Sequence, residues 1–269
     1  MPEGDTVYLT AHRLHDALAG RVLTSTDFRV PALAPTDLSG RVVLDTISRG
    51  KHLLTRVEGG LTLHTHLRMD GSWRLFRPGT RWSGGPAHEI RVVLANEDWS
   101  AVGYRLPVVE LLRTDDESDA VGHLGPDLLG PDWSEEEAVR RLSETPDREI
   151  GPVLLDQRNL AGVGNLYKCE VLFLSGITPW TRVGDVSDLD AVVRRAQRLL
   201  AANKDHWHQS TTGNLRRGEE HWVYRREKRP CRRCGTPVRR AMHPEPGREV
   251  EERVSFWCPR CQAGPGPIG

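Results

Sequence analysis

Nowhere in the 269 residues does an apolar run approach the roughly 18 residues of a membrane span. The first twenty residues hold Glu3, Asp5, His12, Arg13, His15 and Asp16 where a signal peptide would be apolar. A soluble, intracellular protein is expected, cytoplasmic and without a membrane partner. Net charge is lacking too: 37 basic residues balance 37 acidic ones, which excludes a global electrostatic argument for a polyanionic partner. Internal repeats and low-complexity tracts are absent. What remains is a globular chain with material for about two ordinary domains.

Charge is uneven along the chain. From Glu110 to Ile150 there are 13 acidic residues against 4 basic, and from Asn203 to Cys261 there are 8 against 14, so the C-terminal part carries the basic face. Taken alone, such a segment is a solvated surface more often than a nucleic-acid site.

Cysteine is scarce, five in all, and four of them stand as CRRC (Cys231, Cys234) and CPRC (Cys258, Cys261), with Cys169 alone in an apolar run. Two C-x-x-C knuckles 23 residues apart can converge four thiolates on one Zn²⁺, and the segment between them is long enough for a β-hairpin. One structural zinc ion per chain is expected. Four sulfur ligands close the coordination sphere, leaving no position for a substrate or an activated water.

Val7, Ala11, Leu14 and Leu18 recur at helical spacing, with Asp5 as a cap and Gly20 just past the end. From Arg21 to about Arg113 short β runs take over, punctuated by Gly and Pro, with Gly59-Gly60 placed as a hairpin turn. They suggest an antiparallel sandwich or barrel. The acidic stretch RTDDESDAVGHLGPDLLGPDW reads as a connection. Helices follow: one opened by a capping box from Ser134 to Glu137, one ending at Gly162, one from Asn165 to Gly176, and a longer amphipathic run, DLDAVVRRAQRLLAANKDHW.

Several residues stand out locally, each with an ordinary alternative. Pro2 would become a terminal secondary amine if Met1 were trimmed, and Glu3 beside it is a surface carboxylate or an acid/base partner. Lys51 sits after Gly50 at a strand turn, as solvated loop lysines do. Met69 is a core residue or a wedge into a base stack. Asn165 opens a helix after the GVG turn, a place that favours phosphate but also an ordinary tight turn. Arg253 lies on the expected hairpin, solvent-facing or in contact with a ligand. His64 and His66 share a strand face as metal ligands do, without an evident third ligand.

As a set, PEG, RGKHLL, HLRMDG, LGPDLL, LLDQRNLAGVGNLYKCEVLFLSGITP and VYRREKRPCRRCG…RVSFWCPRCQ resemble the formamidopyrimidine-DNA glycosylase and endonuclease VIII family. They follow the family's order across almost the whole chain. The resemblance implies an α+β multidomain fold. Residues 1–115 form an N-terminal β-sandwich catalytic domain with a leading helix, 116–133 a linker, 134–222 a helical domain with a helix, two turns, helix motif, and 223–269 a zinc finger and tail. DNA is implied to lie in the cleft between domains. Pro2 matches the family's nucleophile, Glu3 its acid/base residue, Lys51 a phosphate contact at the catalytic centre, Met69 its wedge, and Asn165 and Arg253 its other DNA contacts.

The implied activity is that of a monomeric, nucleoid-associated glycosylase and lyase of base excision repair, acting on DNA with oxidised bases or abasic sites by β,δ-elimination. An α-amine, with a reference pKa of about 7.7 to 8.0, is partly unprotonated near neutrality where a lysine is not. The PEG opening is closer to the endonuclease VIII branch and points to oxidised pyrimidines, whereas HLRMDG is closer to the formamidopyrimidine branch. The three-residue wedge of typical endonuclease VIII is absent. A non-catalytic zinc-finger DNA-binding protein and a metallohydrolase built on His64 and His66 are the alternatives.

Overall fold

The helix expected behind Pro2 forms as α1, Gly4–Leu18, in a computed structural model that describes residues 2–243 and 253–267. Met1, with the expected trimming, and 244–252 of the expected hairpin lie outside the described residues. Val7, Ala11, Leu14 and Leu18 are each at most 3% exposed and join the core of the first of two units, Met1–His123 and Leu124–Gly269.

The β runs of the first unit form β1 (Ser25–Phe28), β2 (Val43–Arg49), β3 (His52–Val57), β4 (Leu61–His66), β5 (Ser72–Phe76), β6 (Ile90–Ala95), β7 (Ser100–Tyr104) and β8 (Val108–Arg113). They make two antiparallel four-stranded sheets, ordered β1-β6-β7-β5 and β2-β3-β4-β8, the β-sandwich the family resemblance implies. Gly50 at φ 58 turns β2 into β3, and Gly59 and Gly60 at φ 92 and 70 turn β3 into β4, left-handed values that a Cβ disfavours. Leu53, Val57 and Leu63 of one sheet meet Val92, Leu94 and Ala101 of the other in the core.

The face of the second sheet away from that core sets Arg56, Thr62, His64 and Glu110 among Ile47, Leu54 and Leu112, and a short helix pairs with it through its first residue. This is α2, Glu117–Val121, inside the stretch expected as a connection. Arg56 Nε and Nη2 donate to the two carboxylate oxygens of Glu117 at 2.8 and 2.7 Å, and Arg56 also reaches Asp45 at 3.2 Å. Paired in this bidentate way, Glu117 is held below the usual carboxylate range.

In the second unit α3 (Glu135–Ser143) starts as expected, the Glu137 N–H donating to Ser134 Oγ at 3.2 Å. The Glu137 carboxylate does not return to complete the box but accepts from Arg140 and Arg141. Two further expectations fail: Asp5 does not cap α1 but lies inside it, behind the N-cap Glu3, and α4 is Ile150–Leu155 and does not run to Gly162. Asp156 breaks it, since its carboxylate takes the Arg158 backbone N–H at 3.1 Å and so offers the chain a turn in place of another helical bond. Gln157 then braces the turn, donating to the carbonyls of Leu155 and Val163 and accepting from the Gly162 N–H.

Helix α5 (Asn165–Ser175) ends on left-handed Gly176 at φ 72, and α6 (Leu189–Asn203) is capped by Asp188, whose carboxylate accepts from the Ala191 N–H at 2.8 Å. The last strands, β9 (Arg239–His243) and β10 (Arg253–Trp257), pair antiparallel. No helix among the described residues is long and apolar enough to cross a membrane.

Candidate active site and nucleic-acid interface

Glu3 is 1% exposed at the N-cap of α1, in extended conformation, and its carbonyl accepts the Val7 N–H at 3.0 Å. A solvated surface carboxylate is thereby excluded. Pro2 precedes it, half-buried, on a chain made rigid by the helix rather than on a frayed end. Lys51 stands at the β2–β3 turn, half-buried, close enough for its charge to oppose protonation of His52 and His66.

Met69 is 53% exposed, so the core alternative fails. It is displayed on a tight turn in which the Gly71 N–H donates to the Leu67 carbonyl at 2.9 Å and Arg68 is left-handed at φ 44. A Cβ on residue 71 would lie 2.5 Å from the Leu67 oxygen, so only glycine fits there. Arg105, itself left-handed at φ 49, braces the turn by donating from Nε to the Asp70 carbonyl at 3.1 Å while pairing with Glu89. The sequence GYRLPVV gives no hint of this brace.

His64 and His66 do not share a metal-like geometry. His64 Nδ1 lies 2.9 Å from Glu110 Oε2 and its Nε2 lies 2.8 Å from His52 Nδ1, while His66 Nδ1 accepts the Arg68 N–H at 2.9 Å. Both ring nitrogens of His64 and Nδ1 of His66 are spent on hydrogen bonds. Among the described residues the one group of His, Cys, Asp or Glu with metal-like spacing is Cys231, Cys234, Cys258 and Cys261.

Those four sulfurs lie within 4.8 Å of one another, with Cys231 and Cys261 at 3.8 Å and Cys234 and Cys258 at 3.5 Å. A tetrahedral site with Zn–S bonds of about 2.3 Å has edges of about 3.8 Å, so the cluster fits a zinc finger. Arg233, between the first two cysteines, lays its guanidinium 4.7 Å from the ring centre of Phe173 on α5. The knuckle is thus packed on that helix.

Helix α5 also holds the hairpin. Asn165 Nδ2 donates to the Val254 carbonyl at 2.9 Å, and fully buried Lys168 donates from Nζ to Ser255 Oγ at 2.8 Å. Glu170, fully buried, accepts the backbone N–H groups of Trp222, Val223 and Tyr224, each at 2.8 Å, and the Thr211 hydroxyl. Asn165 therefore sits one residue from Arg253 in space; Arg253 opens β10, and its side chain is beyond the described atoms. Lys168 and Glu170 were not singled out by the sequence. Charged residues inside the apolar run NLYKCEVLFL are the signal that marks them.

Comparison with known proteins agrees with this layout. Residues 1–105 match the formamidopyrimidine-DNA glycosylase N-terminal domain, and residues 124–206 match the H2TH domain of the same glycosylase. The chain is 61% identical over 270 residues to a probable endonuclease 8 2 of Streptomyces coelicolor, covering 99% of this chain and 96% of that one. It is 46% identical to the DNA-(apurinic or apyrimidinic site) lyase Nei2 of Mycolicibacterium smegmatis, covering 97% and 99% of the two. Its fold is similar to that of Lactococcus lactis Fpg in complex with DNA containing N7-benzyl-Fapy-dG, with a TM-score of 0.80 at 23% identity, over 98% of this chain and 100% of that one. By its sequence and its fold, the chain belongs to the formamidopyrimidine-DNA glycosylase and endonuclease VIII family, on the endonuclease VIII branch.

Proposed function

We propose that the chain is a base excision repair enzyme, a DNA glycosylase and abasic-site lyase that removes oxidised pyrimidines with Pro2 as nucleophile. The observation that carries this reading is the burial of the Glu3 carboxylate, 1% exposed, at the N-cap directly behind Pro2. A carboxylate beside an amine on a rigid helix start is what proton transfer during nucleophilic attack needs.

Once Met1 is removed, the neutral Pro2 nitrogen attacks C1′ of the deoxyribose while Glu3 delivers a proton to the opening sugar, and the base departs. The product is an iminium with no N–H proton to lose. It acts as an electron sink: loss of the 2′ proton expels the 3′ phosphate, and a second elimination expels the 5′ phosphate. C1′ is covered inside a duplex, so the nucleotide is extruded, with Met69 filling the gap and Lys51, Asn165 and Arg253 holding backbone phosphates. Cys231, Cys234, Cys258 and Cys261 would hold a Zn²⁺ ion, which would keep β9 and β10 folded and would leave the chemistry to Pro2 and Glu3.

The test is a panel of oxidised pyrimidines and purines in duplex and single-stranded oligonucleotides, scored separately for base release and strand cleavage. Pyrimidine lesions released and cut together are the expected result. Binding without either product would favour a non-catalytic DNA-binding protein.

A further inference from the structure

The outer face of the β2-β3-β4-β8 sheet carries a hydrogen-bonded chain that the mechanism above leaves unused. In register, Glu110 of β8 lies opposite His64 of β4, and His52 of β3 lies opposite His66 of β4. Glu110 Oε2 to His64 Nδ1 is 2.9 Å, and His64 Nε2 to His52 Nδ1 is 2.8 Å. An ionised carboxylate only accepts, so it fixes every tautomer downstream. His64 carries its hydrogen on Nδ1 and accepts at Nε2; His52 therefore donates from Nδ1 and keeps a lone pair on Nε2. His64 is 4% exposed, whereas His52 is only half-buried.

The charged and titratable groups around His52 come from every neighbouring element. Lys51 precedes it, Arg49 of β2 lies opposite it in register, His64 and His66 stand on β4 and Glu110 on β8. The His66 ring packs edge-on at 4.8 Å and the His123 ring, after α2, at 6.2 Å, with Arg68 beyond His66. Glu110 is the one carboxylate among these groups, and it reaches His52 through His64. Burial first, then His66, His64, His123 and Lys51, push His52 down from 6.5 to about 3, so it is neutral in the free protein at pH 7.

A phosphate docked at Lys51 reverses that balance. It offsets the cationic neighbours, while Glu110, acting through polarised His64, stands ready as counter-charge for an imidazolium. We propose that His52, oriented by His64 and Glu110, is a protonatable ligand of the DNA backbone that takes up one proton from solvent at Nε2 when a phosphate docks beside Lys51. This rests on the reading of Lys51 as a phosphate contact. His64 and Glu110 are positioning residues, acting only through His52. Dissociation of the DNA returns the proton to solvent.

Linkage fixes the sign: a complex that binds more protons than the free protein tightens as pH falls. The experiment is calorimetric titration of the full-length zinc protein with a duplex carrying a tetrahydrofuran abasic-site analogue. Buffers of different ionisation enthalpy give the protons taken up, at pH 6 and at pH 8 and constant salt. Wild type is expected to take up a measurable fraction of a proton at pH 6, rising as pH falls, and to bind up to about threefold more tightly per pH unit there. Glu110→Gln and His52→Phe, with unchanged zinc content and circular dichroism, should lose the uptake and flatten the pH profile. His64→Gln should resemble them. Uptake undiminished in Glu110→Gln and His52→Phe, or absent in wild type, overturns the proposal. Lys51→Ala separates the two readings. Intact affinity and salt dependence in that variant, with uptake still sensitive to Glu110→Gln, would sink the Lys51 contact and leave His52 as a proton site. A Lys51→Ala penalty without wild-type uptake would do the reverse.

Discussion

Asn165 Nδ2 donates to the carbonyl oxygen of Val254 at 2.9 Å, which ties the first residue of α5 to the strand that begins with Arg253. Two proposed DNA contacts, far apart in sequence, are thus held by one hydrogen bond. The helix start and the hairpin should act as a single clamp.

Lys51→Ala and Arg253→Ala each remove one proposed phosphate contact and should flatten the salt dependence of DNA binding by about one unit of slope. Asn165→Ala should weaken binding with zinc retained, because the bond it loses costs about 1 kcal/mol and frees the strand beside Arg253. Filter binding across a salt series checks all three. An unchanged slope for Lys51→Ala would return that lysine to a solvated loop.

Removing the metal should cost affinity together with zinc. Cys231→Ser or Cys258→Ser breaks the tetrahedron and releases the knuckle that packs Arg233 on Phe173. Elemental analysis beside DNA binding checks this. Zinc lost with binding intact would detach the finger from the clamp.

Glu170→Ala should be among the most destabilising single changes in the second unit. It strips the acceptor from three buried N–H groups, those of Trp222, Val223 and Tyr224. Each orphaned group costs about 1–3 kcal/mol, so a loss of at least about 3 kcal/mol is expected in urea unfolding. A loss under about 1 kcal/mol would mean that water replaces the carboxylate.

Acid should weaken the first unit well above the usual carboxylate range. His52 is pushed down to about 3 and His66, by burial and then Lys51, to about 4, each from 6.5. Both pKa values are depressed on folding, so the unfolded chain binds more protons below pH 6.5. Stability is full above that pH and falls as pH drops toward 4. Urea midpoints from pH 7 to 4.5 should decline in wild type and decline less in His52→Phe.

Much of this was legible. Helical spacing found α1 and α6, and cysteine spacing found the four sulfurs that lie within 4.8 Å, because both follow from local rules. The helix through Gly162 was misread because Asp156 competes with the helix by a side-chain bond that hydrophobic spacing does not register. The histidine chain was missed for a different reason. Its members become neighbours only through register, and centring the β3–β4 turn on Gly59 would have put residue 52 against 66. Glu110 needed a third strand, which no hairpin rule supplies.

The opening residues carry the most decisive expectation. If Pro2 forms the iminium with C1′, borohydride added during turnover should reduce it to a stable amine, and peptide mapping should place the adduct on an N-terminal proline with Met1 absent. In the proposed mechanism Glu3, 1% exposed, serves base departure more than elimination. Glu3→Gln should therefore cut base release steeply, about 10²-fold or more for the loss of a positioned acid. Cleavage at a preformed abasic site should fall less, since its base has already gone. Trapping on Lys51 with Pro2 unmodified would defeat the assignment even with glycosylase activity confirmed, because a lysine nucleophile would make the secondary amine and its buried carboxylate bystanders. Full activity with Met1 retained on every molecule would defeat it as well, because the Pro2 nitrogen would then be an amide with no lone pair to offer.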